Sequence, residues 1–202
     1  MYFGILSERV KTVGGNMPEI QRVYWDRGGV SVPRRKPETH KGDYGKLLIV
    51  GGSVGYTGAP NLCAKAAVRS GAGLVYLGVP RGIWSICAVK NDEAMPFPLP
   101  CDDSGKLTAD ALSPLREYFA RCGVLALGPG LGRSDGTAAL TAALVRKFPG
   151  KIVLDADALW AVSLAPDILR EAQGEIVVTP HEGEFLRLGG SLSDGRERGA
   201  WD

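Results

Sequence analysis

An excess of charge of either sign is missing from this sequence: 24 Lys and Arg stand against 22 Asp and Glu, a net charge of +2. That balance removes the electrostatic case for a nucleic-acid backbone or an acidic membrane as partner. Long apolar runs are missing too. Leu47, Leu48, Ile49 and Val50 form one of the longest, far short of the ~18–20 residues that cross a bilayer. Glu8, Arg9 and Lys11 interrupt residues 1–13 before a signal-peptide core can form. Histidine is reduced to His40 and His181, and Cys63, Cys87, Cys101 and Cys122 include no C-x-x-C pair. Zinc-ligand spacing is therefore absent, and the thiols are expected to be reduced and packed as small hydrophobes. These absences predict a cytoplasmic protein with no metal centre of its own, no nucleic-acid partner and no membrane span.

Glycine, by contrast, is plentiful: 28 of 202 residues, roughly double the average usage. Residues 1–36 lack periodicity and end in Arg34, Arg35 and Lys36; they are read as an arm whose charges stay solvated. Residues 37–189 are read as one domain and residues 190–202 as a tail. From Lys46 onward, apolar runs at residues 47–50, 74–79, 124–127, 152–154 and 176–178 read as buried strands. Between them lie helical patterns: an alanine-rich helix opening at Pro60, one capped by Thr108, one led by Ser134 or Asp135, and a short one over residues 158–164. Residues 83–89 have no clear type, and Pro96, Pro98 and Pro100 predict an extended loop. Thr179, Pro180, His181 and Glu182 read as a capping box with proline in the first turn. Strand and helix alternate at least four times. The fold class is α/β, a mostly parallel central sheet with helices on both faces.

In such a sheet ligands bind outside the carboxyl ends of the strands, and four loops there are conspicuous. GGSVGYTGA, residues 51–59, ends on a helix start that could face an anion, or is simply a flexible turn. It is neither a Walker A loop nor G-x-G-x-x-G. GPGLG, residues 128–132, would let backbone approach a ligand without Cβ interference. Asp155 and Asp157 could position a ligand hydroxyl or a magnesium-bound water, or cap a helix. His181 and Glu184 sit on the turn after Val178.

Taken in order, HKGDYGKLLIVGGSVGYTGAP, AKAAVRSGAGLVYLGVP, NDEAM, LALGPGLG, IVLDADAL and VVTPHEGEF resemble the ADP/ATP-dependent NAD(P)H-hydrate dehydratases, the carboxy-terminal domain of the bifunctional nicotinamide nucleotide repair enzymes. The likeness runs over about residues 33–190; Trp160 departs from it, standing where an asparagine is expected. The resemblance implies a ribokinase-like fold and a hydro-lyase that repairs the 6S hydrates of NADH and NADPH (NAD(P)HX) with ADP or ATP and Mg2+. The nucleotide would phosphorylate the hydrate's hydroxyl, and phosphate would then leave. It also implies that Ala59, Gly130 and His181 contact the hydrated dinucleotide, with Glu184 in the same wall. Physically this is sensible, since a glycine backbone and helix starts suit a pyrophosphate.

In the family a G-S-G-D loop supplies the nucleotide's anion hole and the catalytic aspartate, and GSLSDGRERGAWD does not resemble it. The expectation is a chain truncated at its C-terminus, with the catalytic aspartate beyond Asp202 and no catalytic role for Asp194 or Asp155. An uncovered sheet edge would follow, so self-association into a homo-oligomer is expected. Two alternatives stay open: a ribokinase-like small-molecule kinase, and a non-catalytic dinucleotide-binding fragment.

Overall fold

The computed structural model describes residues 34–193. The chain divides into two compact units, Met1–Thr39 and His40–Asp202. Of the first, residues 34–39 are described, and there the Thr39 hydroxyl donates to the Lys36 carbonyl at 2.7 Å. Most of the expected arm, like Asp194 and the rest of residues 194–202, lies outside the described residues.

The second unit is built on six strands: β1 (Lys46–Val50), β2 (Leu74–Pro80), β3 (Met95–Leu99), β4 (Val124–Leu127), β5 (Lys151–Leu154) and β6 (Ile176–Val178). They form one sheet in the order β3-β2-β1-β4-β5-β6, every pair parallel. The helices are α1 (Gly58–Arg69), α2 (Trp84–Lys90), α3 (Leu112–Phe119), α4 (Asp135–Lys147), α5 (Asp157–Ser163) and α6 (Glu182–Arg187). Short 3-10 segments precede α2 and α3, and another, Pro166–Glu171, follows α5.

β1 shows why an unbroken apolar run marks a central parallel strand: successive side chains enter opposite faces, and both faces are covered. Leu48 and Val50 join the core that holds Leu115 of α3, Leu140 and Leu144 of α4, and Leu159 of α5. Ile49 joins the other core, with Leu77, Ala64 of α1 and Cys87 of α2. The expected stripe Leu140, Leu144, Phe148 is fully buried. Cys87 and Cys122 are packed as small hydrophobes, and burial pushes both thiols up from their ordinary pKa.

The prolines were misleading. Residues 95–99 are not a loop but β3, which among the described residues pairs only with β2, Leu77 opposite Pro96 and Val79 opposite Pro98. An edge strand tolerates proline at alternate positions because the missing N–H groups face away from the ladder. Residues 83–89, left without a type by the sequence, are mostly α2. The buried Asn91 of NDEAM ties this helix down: its amide donates to the Cys87 carbonyl at 2.9 Å and to Asn61 Oδ1 on α1. α1 itself starts two residues before Pro60.

Candidate active site at the carboxyl edge of the sheet

The strand order reverses direction between β1 and β4: the chain winds outward through β2 and β3, then returns to the other side of β1. At such a switch point the loops leaving the two strands part and leave a crevice. GGSVGYTGA leaves β1 and GPGLG leaves β4, so both glycine-rich loops of the sequence meet there.

Backbone and side-chain bonds lock the two loops together. The Gly52 N–H donates to the Pro129 carbonyl at 2.9 Å, and the Ser53 hydroxyl donates to the Gly130 carbonyl at 2.9 Å. A methyl group at Gly51 would lie 2.5 Å from the Pro129 oxygen. Gly130 has φ +67°, and a methyl there would lie 2.9 Å from the Tyr56 carbonyl oxygen and 3.3 Å from Ala59 Cβ. Ala59 and Gly130, 71 positions apart in sequence, are therefore neighbours where the two loops meet. Ala59 is in the first turn of α1, whose Thr57 side chain makes no capping bond and whose first turn has no acidic residue. Its leading N–H groups are those a helix leaves without intrahelical partners. Tyr56, an exposed aromatic on the same loop, belongs to this wall; its only sequence signal was an aromatic inside a glycine-rich turn.

The aspartates of DADAL do something the sequence left out. Neither caps a helix through its side chain. Asp157 accepts from the Gly132 N–H at 2.9 Å with one oxygen and from Arg133 Nε at 3.0 Å with the other. It thereby holds the GPGLG loop to α5. Asp155 accepts from the Thr179 hydroxyl at 2.8 Å and so joins the β5 loop to the β6 loop. Burial first, and the nearby Asp155 charge second, push the Cys63 thiol up. Between the aspartates Ala156 takes φ +50°, ψ −121°, the one non-glycine residue with positive φ among the described residues. That conformation costs of order 1–3 kcal/mol and tends to occur where surrounding contacts over-determine it.

The cap of α6 is not Thr179, whose hydroxyl is taken by Asp155; it is His181, two residues later. His181 Nδ1 accepts from the Gly183 and Glu184 N–H groups at 3.0 and 3.3 Å, and Glu184 Oε2 accepts from the His181 N–H at 2.9 Å. The capping box is thus His181–Glu184. With Nδ1 accepting, the neutral ring carries its proton on Nε2, 3.4 Å from Glu184 Oε1. The imidazole is 72% exposed, whereas the Glu184 side chain is 9% exposed. Glu184 therefore orients the ring from below.

Along the carboxyl edge the loops of β1, β4, β5 and β6 stand side by side, carrying Ala59, Gly130, the two aspartates and His181 in that order. No group of three or more His, Cys, Asp or Glu placed to hold a metal ion occurs among the described residues. No helix among them is long and apolar enough to cross a membrane.

Residues 47–200 match the NAD(P)H-hydrate dehydratase family. The bifunctional NAD(P)H-hydrate repair enzyme of Moorella thermoacetica is 47% identical over 162 residues, 80% of this chain and 31% of that enzyme. The ADP/ATP-dependent NAD(P)H-hydrate dehydratase of Bacillus subtilis, crystallised with ATP and Mg2+, superposes with a TM-score of 0.62 at 26% identity, over 83% of this chain and 56% of that one. A ribokinase-like superfamily protein of Enterococcus faecalis shares the fold, with a TM-score of 0.65 at 23% identity over 77% of this chain and 51% of that one. The chain thus spans under a third of the length of the Moorella repair enzyme and just over half of the Bacillus one. With its ribokinase-like sheet and both glycine-rich loops at the switch point, the chain belongs to the NAD(P)H-hydrate dehydratase family.

Proposed function

We propose that this chain holds the 6S hydrates of NADH and NADPH across the carboxyl edge of its sheet and serves their dehydration at the expense of ADP or ATP. The observation that carries this reading is the meeting of Ala59 with Gly130 at the switch point, with the exposed ring of His181 on the loop two strands further along the same edge. A dinucleotide is long, and the wall from β1 to β6 crosses three strand spacings, about 14 Å. Backbone N–H groups at the start of α1 suit a phosphate. The His181 ring can donate from Nε2 to a ribose or carboxamide oxygen. Glu184 acts through His181 by fixing its rotamer.

In the reaction the hydrate's hydroxyl oxygen takes a phosphoryl group from the nucleotide. The carbon–oxygen bond then breaks, phosphate leaves, and loss of a proton from the adjacent carbon restores the dihydronicotinamide double bond. No group of three or more His, Cys, Asp or Glu placed to hold a metal ion occurs among the described residues. Magnesium would arrive with the nucleotide, and no proton-transfer step is assigned to a described residue.

The test adds each hydrate to the purified chain, reads binding by calorimetry, then follows recovery of dihydronicotinamide absorbance after ADP or ATP with magnesium. Binding with recovery supports the whole reading, and binding alone restricts this chain to holding the dinucleotide. Absence of binding overturns the reading.

His181→Asn separates the ring's two roles. Asparagine is among the best N-capping residues, so stability should stay within about 0.5 kcal/mol. Loss of the Nε2 donor should weaken hydrate binding about fivefold. Unchanged affinity would remove His181 from the substrate wall.

A cytoplasmic location and self-association belong to the same proposal. The four cysteines are free thiols, which suits a reducing compartment. The outer edge of β6 is unpaired among the described residues, and Val177, Val178 and Leu186 are exposed beside it, a surface that favours association.

A further inference from the structure

The four loops that form the proposed wall contain a single Lys or Arg: Arg133, directly after GPGLG. A hydrated dinucleotide brings at least the two charges of its pyrophosphate, and the phosphorylated form adds a ribose phosphate. Helix-start N–H groups supply partial charge only.

Arg133 is neither loose nor used up. Asp157 holds Nε at 3.0 Å, and the guanidinium carbon lies 5.8 Å from the Trp160 ring centroid, within cation–π range. Its terminal nitrogens make no hydrogen bond among the described residues, and the side chain is 50% exposed. Both anchors are on α5, so Arg133 leans from the β4 loop toward the β5 loop. The strand order puts β5 between the Gly130 end of the wall and His181 on the β6 loop. A ligand that touches both would cross the β5 loop, beside the start of α5 that holds this guanidinium. Trp160, the departure from the family pattern, thus supplies a face against which the arginine rests.

We propose that Arg133, positioned by Asp157 and Trp160, binds a phosphate group of the substrate dinucleotide through its terminal N–H groups. This inference rests on the proposed hydrate-binding function. Planar, paired donors of this kind match phosphate oxygens better than an ammonium does.

The test measures binding of both hydrates to the full chain and to Arg133→Gln and Arg133→Lys by calorimetry at two salt concentrations, with melting curves as a folding check. Arg133→Gln should weaken binding about tenfold, and Arg133→Lys by less. Wild-type affinity should fall as salt rises, and the Gln variant should fall less steeply. Equal losses for the two hydrates identify the pyrophosphate as the group bound; a loss confined to the NADPH hydrate identifies the ribose phosphate. If wild type binds and Arg133→Gln binds both hydrates equally well, this inference fails while the functional reading stands. If wild type binds neither hydrate, both fall. Should the Gln variant not fold, a wild-type affinity insensitive to salt would overturn the inference by itself.

Discussion

Gly128→Ala is expected to unfold the domain early. Gly128 has φ +126°, and a methyl group there would overlap the carbonyl oxygen of Asp155 and lie 2.8 Å from Ala158 Cβ. The obstacle is backbone, so no rotamer change can relieve it. The alternative is to push the β4 loop away from the start of α5, which breaks the Gly132–Asp157 bond and disturbs the neighbouring Gly130. Strain at positive φ and overpacking together should cost about 3 kcal/mol or more, lowering the melting temperature on the order of 10 °C. Gly55→Ala is the matched control: φ is +88° but nothing lies within 4 Å of the added methyl. It should cost about 1 kcal/mol from conformation alone. Equal melting temperatures for the two variants would contradict the packing of the β4 loop on α5.

The contrast between these glycines marks how far the sequence could be read. Apolar runs gave strands with little error, and the expected bounds of β4 and β6 coincide with the observed ones; β6, read as a buried strand, instead leaves Val177 and Val178 exposed, because it is the outer strand of the sheet among the described residues. Ser134 was a candidate cap and is the cap of α4. Errors arose where a residue's usual local use competes with a distant partner. Prolines usually break strands, yet β3 lies at an edge where their missing donors cost nothing. Threonine usually outranks histidine as a cap, but Asp155 claims Thr179, 24 positions away, and the cap passes to His181. Asp157 offered a local reading as a helix cap and does not follow it, since its partners Gly132 and Arg133 come from another loop. Ala156 carried no hint of its positive φ. The glycine loops were legible as loops, and that they meet at one crevice follows only from the strand order.

That meeting makes Gly130→Ala the sharpest test of the site. The residue has φ +67°, and the methyl would approach the Tyr56 carbonyl oxygen to 2.9 Å, Tyr56 Cβ to 3.1 Å and Ala59 Cβ to 3.3 Å. The contact with the Tyr56 carbonyl oxygen is too short to persist, so backbone must give by a few tenths of an ångström, far less than at Gly128; the domain should fold, with a loss of about 2 kcal/mol from conformation and crowding. Relief requires the β1 loop and the start of α1 to shift outward. The Ser53–Gly130 bond opposes that shift, and any shift carries Ala59 and the helix-start N–H groups with it. In the proposed function a bound dinucleotide takes hydrogen bonds from those positions, and losing two bonds to a charged group costs on the order of 100-fold in affinity. Hydrate affinity should therefore fall about 100-fold, with a melting-temperature loss smaller than that of Gly128→Ala. Gly55→Ala, strained but uncrowded, should bind within a few-fold of wild type. If Gly130→Ala binds as wild type does, the crevice between β1 and β4 is not where the dinucleotide sits, and the reading of Ala59 falls with it.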